Sequence, residues 1–230
     1  MRRLEILEPG LLRYGAAWEL QKHLATRRKA GEICDQFLLL EHPHVLTLGR
    51  NGQMQNVLLG RDRLEQLGIE FYEIDRGGDI TYHGPGQIVG YPIVDLREWK
   101  RDVVAFVRGV EEAVIASLRR FGIEGRREPG ATGVWTPLAD GQLAKICAIG
   151  VHISRWVTSH GFALNWTTDL RYFSYIVPCG LTRPVTSMQD LGVSVSREQV
   201  HQAIVEEFAR VFGYDAVAAA PLPAAAVEVR

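Results

Sequence analysis

The sequence is poor in cysteine and in lysine, and it lacks any long apolar run. Cysteine occurs three times in 230 residues, at Cys34, Cys147 and Cys179, with no CxxC pair. A small odd number without an export signal points to reduced thiols and argues against a disulfide framework or a structural zinc site. No apolar stretch approaches the ~20 residues of a membrane span. The opening MRRLEILEPG has two arginines but no apolar core of signal-peptide length. The expectation is a cytoplasmic protein with no membrane partner. An excess of one charge is also missing: 26 basic residues face 27 acidic ones, so bulk charge makes no case for nucleic acid. Only Lys22, Lys29, Lys100 and Lys145 among the basic residues are lysines. The first three sit among charges, whereas Lys145 lies in the apolar run LAKICAIGV.

What is present is ordinary globular composition, 47% hydrophobic and 23% charged. The length suits one large domain or two small ones, and a chain of this size buries roughly 70% of its unfolded surface without needing metals or disulfides. Apolar spacing predicts helices over 14–29, 61–66 and 103–121, the first ended by Gly31 and the second by Gly68. Strands are expected at 37–40, 45–48, 69–74 and 87–96. Antiparallel strands are expected through 131–166, with Arg155 near a turn. Ser196 and Gln199 have capping-box spacing ahead of a final helix over 200–212. From Asp215 the chain is Ala/Pro-rich and reads as a loose tail. The expected architecture is α+β: one domain over 1–214 around a mixed sheet with flanking helices, then a disordered tail over 215–230.

Three stretches carry chemistry. Residues 76–87, RGGDITYHGPGQ, hold four glycines and a proline and read as loop. The pair Gly77-Gly78 either lets a ligand approach the main chain or simply makes a tight turn. No Walker or dinucleotide-binding pattern is present. Pro178-Cys179-Gly180 sets a thiol on a loop, either as a nucleophile or as an incidental cysteine, whereas Cys147 reads as packed and inert. Lys145 is expected in a strand, sharing one face with Leu143, Cys147, Ile149 and Val151. Burial there would disfavour the ammonium form and suit a base, unless the side chain snorkels out from a sheet edge. His42, His44, His83, His152 and His160 show no metal-ligand spacing, so no metal and no cofactor are expected.

Read together, EHPHVLTLGR, RGGDITYHGPGQIVGY, LAKICAIGV, SHGFALNW and IVPCGL make the chain resemble the lipoyl-pathway octanoyltransferases from about Leu11 to Phe212. The resemblance implies a fold like the catalytic domains of biotin and lipoate protein ligases. It implies transfer of an octanoyl group from octanoyl-acyl carrier protein to a lysine of lipoyl domains. Those domains belong to 2-oxoacid dehydrogenase complexes and the glycine-cleavage H protein. It carries a nucleophile onto Cys179 and its partner lysine onto Lys145. Substrate contacts fall on Arg76, Gly77, Gly78, Asp79, Ile80, Thr81, Tyr82 and His83, on Ala148, Ile149 and Gly150, and on Gly161, Phe162 and Ala163. His160 is expected to give support.

The implied chemistry fits these residues. A thioester is already activated, so no ATP site is needed. Lys145 would take the Cys179 proton, and the thiolate would then attack the acyl carbonyl. Candidate oxyanion donors are the N–H groups near Gly77-Gly78 or Cys179-Gly180. An acyl slot bounded by Leu48, Tyr82, Ile149 and Phe162 is expected, and Arg50, Arg155 or Arg183 are candidates to meet an acidic carrier. Two alternatives remain at this stage: an ATP-dependent ligase of the same fold, and a non-catalytic acyl-chain or carrier-protein binding module.

Overall fold

A computed structural model describes residues 1–177 and 183–223. Its elements follow chain order: β1 (Arg3–Leu11), α1 (Tyr14–Lys29), β2 (Asp35–Glu41), β3 (Val45–Leu48), α2 (Arg61–Gln66), β4 (Glu70–Glu73), β5 (Ile80–His83), β6 (Gln87–Ile93), α3 (Val103–Arg119), β7 (Arg126–Glu128), β8 (Ala131–Pro137), β9 (Leu143–Ser154), β10 (Val157–Asn165), α4 (Arg197–Phe212) and β11 (Ala216–Ala219). Eight strands form one mixed sheet, ordered β11-β1-β2-β6-β10-β9-β8-β7, and β4-β3-β5 form a second, smaller sheet. Among the described residues no helix is long and apolar enough to cross a membrane.

The main sheet is covered on both faces. The apolar stripe of α3 (Phe106, Val110, Ala113, Val114, Leu118) and that of α4 (Val200, Ile204, Phe208, Phe212) enclose the larger core with Leu4, Phe37, Ile146 and Phe162. Asp102 caps α3 by accepting from the Ala105 N–H, and the Ser196/Gln199 capping box starts α4. Such caps each contribute ~1 kcal/mol by pairing N–H groups that the helix itself leaves open. The opposite face carries α1, whose Ala17, Leu20 and Leu24 pack on Leu38, Val89 and Ile93. The small sheet has its own core of Leu46, Leu48, Ile80, Tyr82 and Ile176.

Four features depart from the sequence reading. The first strand, β1, was not anticipated. Residues 80–83, expected within a loop, form β5 and pair antiparallel with β3. The chain after Asp215, expected to be loose, contributes β11, parallel to β1 with Arg3 opposite Ala216. Finally, β9 is bulged: Val134 is opposite Cys147, but Trp135 is opposite Lys145. That extra residue breaks the expected alternation. Ile146 and Cys147 both enter the large core, while Lys145 and Ala148 line a cavity on the other face.

Candidate active site

The cavity has a volume of about 250 Å³ and lies between the α1 face of the main sheet and the small sheet. Its floor is unusually free of side chains. Gly150 and Gly161 stand directly opposite one another in β9 and β10. A Cβ on Gly161 would lie 2.1 Å from the Gly90 carbonyl oxygen, so only glycine fits there. Onto this floor folds the segment 76–79, and the Gly77 N–H donates to the Val151 carbonyl at 2.9 Å.

Of the residues predicted from sequence, Arg76, Gly78, Asp79, Ile80, Thr81, His83, Lys145, Ala148, Ile149, Gly150, His160, Gly161, Phe162 and Ala163 all line this one cavity. Gly77 and Tyr82 do not. The Gly77 N–H is already committed to β9 and is no oxyanion donor. Tyr82 alternates to the far side of β5, where its ring stacks on Tyr172 with centroids 5.0 Å apart. Leu48 packs beside it in the small core, so of the expected acyl slot only Ile149 and Phe162 line the cavity. Cys179 and Gly180 lie outside the described residues.

Lys145 is half-buried, with Nζ 4.7 Å from the centroid of the Trp135 ring, and the Arg183 guanidinium lies 5.3 Å from the same ring. Its surroundings are therefore aromatic and cationic rather than the aliphatic face expected. The Lys145 N–H donates to the Pro184 carbonyl at 2.9 Å, and the Thr186 N–H donates to the Lys145 carbonyl at 3.0 Å. These bonds lock the 183–186 segment along β9. Cys147, one bulge away, is fully buried, and desolvation pushes its thiol well above the usual range, as the inert reading requires.

Two polar chains organise the remaining walls. In the first, Arg76 Nη2 donates to the Thr47 carbonyl at 2.7 Å and to Thr47 Oγ1 at 3.0 Å. His83 Nδ1 lies 2.8 Å from Gln87 Oε1, and its Nε2 lies 3.5 Å from Thr47 Oγ1. The partners fix Nδ1 as the protonated nitrogen, because an amide oxygen can only accept. Burial holds His83 neutral, well below its usual pKa. Gln87 Nε2 then donates to Asn165 Oδ1 at 2.9 Å, and Asn165 Nδ2 donates to the Thr186 carbonyl at 3.0 Å. Thr47, Gln87 and Asn165 were not anticipated. They lie within the quoted motifs, but at a strand end or inside an apolar run, and only their being polar there marked them.

The second chain is built on His160. Its Nε2 lies 2.9 Å from Asp75 Oδ1, its Nδ1 lies 3.5 Å from the Tyr14 hydroxyl, and its backbone N–H donates to Gln21 Oε1 at 2.7 Å. The bond to His160 holds the Asp75 carboxyl down at about 2. Burial lowers the His160 pKa despite that neighbour, so Asp75 is the charged partner and the imidazole is neutral. Among the described residues no group of three or more His, Cys, Asp or Glu is placed to hold a metal.

The mixed sheet with helices on both faces and a small second sheet over the cavity is the fold of lipoate protein ligase catalytic domains. A putative lipoate protein ligase from T. acidophilum with bound lipoic acid shares that fold with a TM-score of 0.74 at 20% identity, over 99% of this chain and 92% of that one. A family model described as "Lipoyl protein ligase A/B catalytic domain" matches residues 13–209, and the chain belongs to that family. Among curated relatives, an octanoyltransferase of Solibacter usitatus is 56% identical over 98% of this chain and 100% of its own. One from Gloeobacter violaceus is 49% identical over 93% and 92%.

Proposed function

We propose that this protein is an octanoyltransferase of protein lipoylation. It takes an octanoyl group from octanoyl-acyl carrier protein and passes it to a lysine of lipoyl domains, such as those of 2-oxoacid dehydrogenase complexes or the glycine-cleavage H protein. The observation that carries this reading is kinship to an octanoyltransferase over 98% of the chain, in a chain whose Lys145 borders a largely apolar cavity.

In the proposed reaction Lys145 accepts the Cys179 proton, and the thiolate attacks the octanoyl carbonyl. The carbon–sulfur bond to the carrier's thiol breaks, that thiol leaves with a proton, and an octanoyl-Cys179 thioester remains. The amine of the incoming lysine attacks this thioester, forms the amide, gives up a proton and releases the Cys179 thiol. Support for pairing these two residues comes from the chain itself: the Lys145 N–H is bonded to Pro184, which follows Cys179 by five positions. Because the thioester supplies the driving force, neither nucleotide nor metal is required.

The test is intact-mass analysis after mixing the protein with octanoyl-carrier protein in the absence of ATP. A single octanoyl adduct is expected, lost in Cys179→Ser and retained in Cys147→Ser. The reverse pattern, or an adduct formed only from free octanoate plus ATP, would overturn the reading.

A further inference from the structure

The geometry points to His160 as the residue that ends the acyl slot and sets the length of chain the enzyme accepts. This inference rests on the acyl-transfer reading above and deepens it. His160 is 2% exposed and lines the cavity. It pairs with Val151, six positions from Lys145, one of them absorbed by the bulge. The strand between them therefore measures roughly 16 Å. An octanoyl chain has seven C–C bonds, and at ~1.5 Å each in staggered form it spans roughly 9 Å. The lysine side chain and the thioester linkage take up the remainder. An eight-carbon chain held by its carbonyl at Lys145 thus ends at the imidazole, and a twelve-carbon chain has to pass through it.

The backbone at His160 is built for this position. Its φ is +55°, in the left-handed region that a β-strand residue with a side chain seldom takes. By alternation with Phe162 and Leu164, which face the α3/α4 core, an ordinary residue here would point away from the cavity. The left-handed turn keeps the ring on the α1 side, where Asp75 and Tyr14 hold its two nitrogens. Gln21, buried on α1, gives its oxygen to the His160 N–H while its own Nε2 has no partner among the described residues. A strained residue over-determined by neighbours at a cavity wall is the pattern expected where the strain serves the site. Gly150 and Gly161 leave the floor bare, and the imidazole, flanked by Tyr14 and Tyr91 on the same cavity wall, is where the slot stops. Both its nitrogens are engaged, and a longer chain gains burial only by breaking those bonds.

The test compares transfer of hexanoyl, octanoyl, decanoyl and dodecanoyl groups from acyl-carrier protein to a lipoyl domain. It uses the parent, His160→Gly and His160→Asn, each checked by thermal melting. Glycine and asparagine both tolerate the left-handed backbone, so at least one variant keeps the fold. The parent should favour octanoyl over dodecanoyl. In His160→Gly that ratio should narrow by about tenfold, the worth of two further buried methylenes, and His160→Asn should fall between. Unchanged ratios, or an equal loss at every length, would overturn the inference while leaving acyl transfer standing. A parent inactive with every acyl group would overturn the transfer reading, and this inference with it.

Discussion

Gly150→Ala adds one methyl to the floor of the cavity. In the present backbone its Cβ would lie 2.7 Å from the Gly77 carbonyl oxygen and 3.1 Å from Arg76 Cδ. Reaching ordinary contact at 3.4 Å requires a shift of about 0.7 Å in a backbone atom that cannot rotate aside. The Gly77–Val151 hydrogen bond, 2.9 Å long, anchors the same segment and resists that shift. Arg76 moves with it, and its bonds to Thr47, which set the orientation facing His83, lengthen. Overpacking of this kind costs ~1–3 kcal/mol. A misplacement near 1 Å in a positioned site costs roughly 10²-fold in rate. Octanoyl transfer should therefore fall about 10–100-fold, with a urea midpoint lowered to match that stability loss. Gly60→Ala is the control, since nothing lies within 4 Å of its Cβ position and its φ is −63°. As the N-cap of α2 it should cost at most about 1 kcal/mol and leave transfer at the parent rate. If Gly150→Ala transfers octanoyl at the parent rate with an unchanged midpoint, the seating of residues 76–78 on β9 does not control the site.

Three further outcomes are expected. Lys145→Arg keeps the charge but cannot surrender its proton, so octanoyl-enzyme formation followed by rapid quench should slow by roughly 10²–10⁴-fold. A near-parent rate at neutral pH would assign Lys145 a structural role. Asp35 accepts from Arg28 at 2.8 Å, Arg2 at 3.1 Å, the Asp95 N–H at 2.9 Å and the Tyr214 hydroxyl at 2.8 Å. Asp35→Ala leaves Arg28 Nε, the Asp95 N–H and the Tyr214 hydroxyl without their buried acceptor, although Arg28 Nη2 keeps Glu98 at 2.7 Å, and should cost ~3–5 kcal/mol by urea denaturation, so a loss below ~1 kcal/mol would refute that account. Burial pushes His42 from 6.5 down to about 4. The unfolded chain therefore takes up its proton first on acidification, so stability is full above pH 6.5 and is lost as pH falls toward 4. From pH 7 to pH 5 this amounts to ~2 kcal/mol. His42→Gln should shrink that loss, and an equal loss in the variant would contradict the assignment.

Much of the frame was legible because local signals and tertiary packing agreed. The apolar recurrence in α3 and the capping box of α4 both describe the observed helices. What escaped depended on partners distant in sequence. Ala216–Ala219 has no strand propensity of its own and becomes β11 only by pairing with β1. In 76–87 the glycines outweighed Ile80–His83, a short run that becomes a strand because β3 is there to receive it. The residues expected from the matched motifs line the cavity except Gly77 and Tyr82, while Gln87, Tyr91 and Asn165 of the same motifs line it unanticipated, since a motif does not say which way alternate side chains point. Without the bulge, Lys145 and Cys147 share a face. Nothing in LAKICAIGV announces that Val134 and Trp135 are opposed by residues two apart. Asp75, Tyr14 and Gln21 were invisible as a group because two lie on α1 and one follows β4, all far in sequence from His160.

The pairing of β1 with β11 sets the order of synthesis against the order of assembly. β1 precedes every other strand of its sheet in the chain, yet its outer neighbour spans residues 216–219. At ~5–20 residues per second, translation takes roughly 10–40 s to deliver that neighbour. For that interval the nine-residue β1 offers an open edge of backbone donors and acceptors, the template by which sheets recruit one another. A chain stopped at residue 214 keeps every described residue that lines the cavity, from Tyr14 to Val185. Its defect should accordingly appear as material in the pellet on sedimentation, while the soluble fraction retains its turnover. The last short strand acts less as part of the enzyme than as the closure that keeps one finished copy from templating the next.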